Sequence, residues 1–127
     1  MRALALAAWC ALAAAPALAA DVAPTVVEVR TVDDAFEPAE IVLEHGKPYR
    51  LHLVNVGKDT HEFAAKAFFD RAQVKDAASV LSNQGKEVLL QPGQSRDVDL
   101  VAPAPGTYEL TCPDHDWDNM VGKIVVK

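Results

Sequence analysis

Short apolar runs, each cut off by turn-forming residues, constrain this chain more than any other feature. Seven such runs, rich in Val, Ile, Leu, Thr and Tyr, recur at Thr25–Arg30, Glu40–Leu43, Tyr49–Val54, Glu87–Leu90, Asp97–Val101, Thr107–Thr111 and Lys123–Val126. Residues of this kind suit a pleated, half-buried surface. The turns between them are marked by His45-Gly46-Lys47-Pro48, Gln91-Pro92-Gly93-Gln94 and Ala102-Pro103-Ala104-Pro105-Gly106. Alternation supports strands directly: Leu51 and Leu53 flank His52, and Val98 and Leu100 stand between Asp97, Asp99 and Val101. The expectation is an all-β antiparallel sandwich or barrel. One segment interrupts it, Ala64 to Gln84, where Phe68, Phe69, Val74, Val80 and Leu81 are spaced as on a helix rather than a strand. The pattern predicts one short helical insertion there.

Residues 1–20 read as a separate object. Arg2 precedes an apolar run that extends through Leu12 to Ala15, and Pro16-Ala17-Leu18-Ala19-Ala20 ends it in small residues. A charged start, a short apolar middle and an Ala-x-Ala ending mark a secretory signal peptide cut after Ala19 or Ala20. A retained anchor needs about 20 apolar residues and no cleavage site, and Trp9 is too bulky to precede a lipidated Cys10. The expected organisation is a signal peptide at 1–20, a single domain at 21–127, a periplasmic location and no stable membrane insertion after cleavage. Removing Arg2 with the leader leaves eleven Lys and Arg against eighteen Asp and Glu, a net charge of −7. That balance argues against nucleic acid as a partner.

Cleavage also removes Cys10, so Cys112 has no internal disulfide partner. A lone exported thiol is a buried structural group, a reactive group or a metal ligand. The surrounding sequence, Thr111-Cys112-Pro113-Asp114-His115-Asp116-Trp117-Asp118-Asn119-Met120, supplies thiolate, imidazole and thioether within one loop. Two His and one Cys in a trigonal set, with a distant axial Met, make a copper electron-transfer site. His61, downstream of the Tyr49–Val54 run, is the candidate second imidazole, whereas His45 belongs to a turn and His52 to the face opposite Leu51 and Leu53. Zinc is an alternative, with Asp114 or Asp116 as oxygen ligands. A cysteine nucleophile activated by His115 is another, but it leaves His61 and Met120 without roles.

Cys112-x-x-His115-x-x-x-x-Met120 near the end, with an isolated upstream His61 after a strand, resembles the plastocyanin and pseudoazurin branch of the cupredoxins. The segment Phe36-Glu37-Pro38-Ala39-Glu40-Ile41-Val42 followed by His45-Gly46-Lys47 is also similar to the early strands of bacterial cupredoxin domains. The resemblance covers the chain beyond the leader. It implies a Greek-key cupredoxin sandwich with one type 1 copper ion near one end, His61, Cys112 and His115 as equatorial ligands and Met120 as the axial one. Two departures stand out. Pro113 follows Cys112 directly, which leaves Asp114 its backbone N–H as a donor toward the thiolate, and His115 sits among Asp114, Asp116 and Asp118.

The role that follows is single-electron transfer between redox partners, with no bond changed in a substrate. An acidic loop favours a cationic partner such as a basic cytochrome. A second role is electron acceptance from Fe²⁺: His61-Glu62-Phe63 with Phe68-Phe69 resembles the cupredoxin components of bacterial ferrous-iron uptake systems. A third is periplasmic copper handling, against which stands the lack of Met-rich or His-rich tracts.

Overall fold

The computed structural model describes residues 22–127, apart from the side chains at 116–118. The leader expected at 1–20 lies outside the described residues. Two five-stranded sheets face each other. The first is built from β1 (Thr25–Val32), β2 (Ala35–Glu37), β4 (Pro48–Asn55), β8 (Ser95–Val101) and β6 (Gln73–Val74), in the order β2-β1-β4-β8-β6. The second contains β3 (Glu40–Leu43), β10 (Val121–Val126), β9 (Gly106–Thr111), β5 (His61–Ala64) and β7 (Glu87–Leu90), in the order β3-β10-β9-β5-β7. All seven expected runs are strands. Most pairings are antiparallel, but β1 runs parallel to β4 and β3 parallel to β10, so the chain crosses between sheets rather than meandering within one.

The alternation read from the sequence is the device that closes the core. On β4, Tyr49, Leu51, Leu53 and Asn55 are buried and the residues between them are not. Val98 and Leu100 on β8, Tyr108 and Leu110 on β9, and Ile124 and Val126 on β10 repeat the pattern. Their inward faces meet in one continuous core with Val29, Ile41, Leu43, Phe63, Val88 and Leu90. His52 turns outward, as expected, and pairs with Asp97 at 2.6 Å. His45 is held in its turn, its Nδ1 2.8 Å from the carbonyl of Pro103.

The insertion at 64–84 holds two short helices, α1 (Lys66–Arg71) and α2 (Ala77–Val80), divided by β6. Only the first part of the expected stripe is buried on a helix: Phe68 and Phe69 are covered, with Phe68 meeting Tyr108 edge-on at 5.6 Å between ring centroids, whereas Val74 lies on β6 and Val80 and Leu81 are partly buried. The break between the helices is tertiary in origin. Gln73 and Val74 leave the helix to extend the first sheet, opposite Val101 and Leu100.

Candidate metal centre

The centre forms where two strands of the second sheet part. β5 and β9 share one registered pair, Ala64 opposite Thr111. Beyond it the ladder is not continued, and the backbone N–H of Glu62 donates instead to the Sγ of Cys112, at 3.4 Å. Every backbone donor in a dry interior needs an acceptor, and here a sulfur takes the place of a strand carbonyl.

A six-residue 3₁₀ segment, Pro113–Asp118, follows Cys112. Pro113 opens it at no cost, because the first residues of a helical turn have no partner for their N–H. His115 departs from helical geometry, at φ −129° and ψ 18°. The loop is closed by its own backbone: His115 N–H donates to the Cys112 carbonyl at 2.9 Å, Met120 N–H to the His115 carbonyl at 3.2 Å, and Cys112 N–H to the Met120 carbonyl at 3.2 Å. These bonds turn His115 back over Cys112.

The approach to His61 is fixed differently. Asn55, buried at the end of β4, donates through Nδ2 to the carbonyls of Asp59 and Leu90 at 2.8 and 2.9 Å, and its Oδ1 accepts from Gly57 N–H at 2.9 Å. One amide side chain thus holds the 55–61 turn from which His61 enters β5. His61 opens a strand of its own, β5, which the sequence did not announce. His61, Glu62 and Phe63 are all buried, so no alternation marks this strand.

The three predicted donors come together. The ligand atoms of His61, Cys112 and His115 all lie within 4.8 Å of one another. Cys112 Sγ is 3.9 Å from His61 Nδ1 and 3.4 Å from His115 Nδ1. Donors on bonds of about 2.0–2.3 Å to one centre stand roughly 3.3–4 Å apart, so both sulfur–imidazole separations are those of ligands on a single metal ion. His61 and Cys112 are fully buried, while His115 is partly exposed. Met120 is also fully buried and is tied to Cys112 and His115 through its backbone. Two imidazoles and a thiolate are the equatorial donor set of a type 1 copper site.

Two carboxylates border the trio, and the sequence places neither of them at the metal. Glu62, beside the sulfur, is only 7% exposed, and the Cys112 thiol donates to its Oε2 at 3.1 Å. Burial raises the Glu62 carboxyl above its usual range; the thiol contact opposes that and the neighbouring side chain of Asp114 adds to it. The Asp114 backbone amide acts on the Glu62 carboxyl and holds it down, while the Glu62 N–H is an amide that donates to Sγ. Burial likewise pushes the Cys112 thiol up to about 12, with the Glu62 N–H pulling the other way. Asp33, in the β1–β2 turn, is the second carboxylate. Its Oδ1 accepts from Lys58 N–H at 2.9 Å and stands 3.7 Å from His61 Nε2. The Lys58 amide is the main reason that its carboxyl lies below the usual range. Glu62 stands next to His61 in the sequence, but adjacency does not tell which way its side chain points; nothing there marks Asp33.

Among solved structures the chain is similar to dithionite-reduced auracyanin from the photosynthetic bacterium Roseiflexus castenholzii, at 21% identity and a TM-score of 0.61 over 84% of this chain and 99% of that one. It is also similar to auracyanin A, a "blue" copper protein from the green thermophilic photosynthetic bacterium Chloroflexus aurantiacus, at 21% identity and a TM-score of 0.60 over 83% and 100% of the two chains. An amicyanin mutant superposes less closely, at 21% identity and a TM-score of 0.52 over 85% and 88%. At these identities the likeness speaks for the fold. A search among curated proteins finds no match. The profile of the cupredoxin-like domain matches residues 2–126, nearly the whole sequence: the chain belongs to the cupredoxin-like domain family.

Proposed function

We propose that the protein is an exported, periplasmic type 1 copper protein that carries single electrons between redox partners, with His61, Cys112 and His115 as equatorial ligands and Met120 as the axial ligand. The observation that carries this reading is the trio itself: three soft or borderline donors at the spacing of one metal ion, two of them sealed from solvent. Bound copper supplies a Cu(II)/Cu(I) couple. The chain's part is to hold its donors in one arrangement for both states. Asn55 fixes the entry to His61, and the 113–120 loop fixes His115, so little has to move when charge changes. Burial of His61 and Cys112 excludes water from one side, and the partly exposed edge of His115 is the route by which an electron leaves or enters. Among the described residues no helix is long and apolar enough to cross a membrane, which suits a carrier that docks and departs.

Copper-loaded protein is expected to show an intense visible thiolate-to-copper band that ascorbate bleaches and oxidant restores. Cys112→Ser abolishes the band. Met120→Gln keeps copper and lowers the reduction potential, because a harder oxygen donor stabilises Cu(II). A coloured Cys112→Ser protein would refute the assignment.

A second reading, electron acceptance from Fe²⁺ in a ferrous-iron uptake system, draws support from the carboxyls of Glu62, beside the sulfur, and of Asp114, beside Glu62. Stopped-flow bleaching of the oxidised protein decides between the two. Saturable, salt-resistant reduction by Fe²⁺ that collapses in Asp114→Asn favours iron; salt-sensitive reduction by a basic cytochrome favours carriage.

A further inference from the structure

His61 carries a polar atom with no hydrogen-bond partner. Its ring is fully buried, and Nε2 has no acceptor within hydrogen-bond distance among the described residues. Nδ1, on the other side of the ring, faces Cys112 Sγ. A neutral imidazole has one N–H and one lone pair. If Nδ1 is to offer its lone pair to a metal, the proton must sit on Nε2, in the interior, where an unpaired donor is costly. A carboxylate oxygen, Asp33 Oδ1, stands 3.7 Å from it.

We infer that Asp33 is a positioning residue for the metal centre, its carboxylate accepting from His61 Nε2–H and so fixing the tautomer that presents Nδ1 to the metal. Three observations support the assignment besides the distance. Asp33 Oδ1 is itself anchored by Lys58 N–H at 2.9 Å, and a carboxylate oxygen has capacity for a second donor. The Asp33 side chain is 45% exposed, so it keeps its charge in contact with solvent while reaching a buried ring. The residue between them is Gly57, where a Cβ would lie 2.4 Å from Asp33 Oδ1 and 3.0 Å from His61 Nε2. Only the missing side chain at 57 leaves a passage between carboxylate and imidazole. A closure of under about 1 Å brings the pair to ordinary hydrogen-bond length.

The inference rests on His61 being a ligand, and its consequences follow from charge. A carboxylate behind a ligating imidazole raises the basicity of the ring and fixes its orientation. Negative charge so placed stabilises Cu(II) over Cu(I), and the potential is lower than it would be with a neutral acceptor.

Two variants and one control test this. Asp33→Asn keeps an oxygen for Lys58 N–H and for Nε2–H and deletes only the charge; Asp33→Ala deletes both acceptors. Asp34→Asn changes an exposed neighbour in the same turn. In the metal-free protein, ¹⁵N NMR of His61 is expected to show the Nε2–H tautomer in wild type and Asp34→Asn, and a mixture in Asp33→Ala. Loaded with copper, Asp33→Asn raises the reduction potential, and Asp33→Ala loses about 10–100-fold in Cu(II) affinity by chelator competition; the control moves neither. Wild-type tautomer and potential retained in Asp33→Asn and Asp33→Ala would overturn the inference. If the wild-type protein takes up no copper, the metal assignment itself has failed, and the tautomer in the metal-free protein still decides the role of Asp33.

Discussion

Cys112 enters the folded chain as a thiol, not as the thiolate that a metal needs. Its buried sulfur donates to Glu62 Oε2, and burial pushes its pKa up to about 12. Metal binding must displace that proton. The sign is simple: below the thiol pKa the metal competes with a proton, so apparent affinity rises as pH rises. Between about pH 7 and 9, one displaced proton gives a rise of about tenfold per pH unit, measured by chelator competition on the metal-free protein. A flat profile would mean that Cys112 is already ionised or that Glu62 retains the displaced proton. The trio was legible in the sequence because the chemistry of the 112–120 loop demands a second imidazole and few histidines exist to supply it. Glu62 and Asp33 were not. One shares its strand with a ligand but gives no sign of which way it points, and the other reaches His61 across twenty-eight positions of chain through a turn whose path only the sheet pairing sets.

At the scale of elements, strands β3 and β10 approach so closely that one residue has no room for a side chain. A Cβ on Gly122 would lie 2.5 Å from the Ala39 carbonyl, the same carbonyl that accepts from Lys123 N–H at 2.9 Å. Gly122→Ala therefore has to displace backbone and strain the first bonds of the β10–β3 ladder. The expected loss is about 1–3 kcal/mol in chemical unfolding, as for other overpacked interiors. Because Met120 lies two residues away, the visible copper band should shift as well; an unchanged band and midpoint would mean that the ladder slides freely. Strands like β10 were readable because one face is wet and the other dry. β5 was not, since Glu62 is covered as well as His61 and Phe63 and burial on both faces erases the period of two. β2 and β6, at three and two residues, are too short to carry any period; the rest of the sheet recruits them.

For the whole molecule, charge is the property that partners meet first. The chain carries a net −6 with its histidines neutral, and charge of one sign speeds encounter with the other. Electron exchange with a basic cytochrome is expected to slow steeply as ionic strength rises to 0.1 M, where the Debye length falls to about 10 Å. Exchange with a neutral small-molecule reductant serves as the reference and should barely respond. Equal salt dependence for both would place the recognition elsewhere than in electrostatics.

The self-closed loop from Cys112 to Met120 also bears on the denatured protein. Cys112, His115 and Met120 lie within nine residues of one another, so a chain that has lost both sheets still holds these donors together as a short chelating peptide. His61 alone arrives through folding. With the ligand set proposed above, copper is expected to bind the unfolded chain too, and ligand linkage then stabilises the native state by less than its affinity for the finished centre would give. The ion's contribution to cohesion is confined to what the fourth donor and the dry sandwich add, and a folding chain can acquire its metal before its sheets have closed.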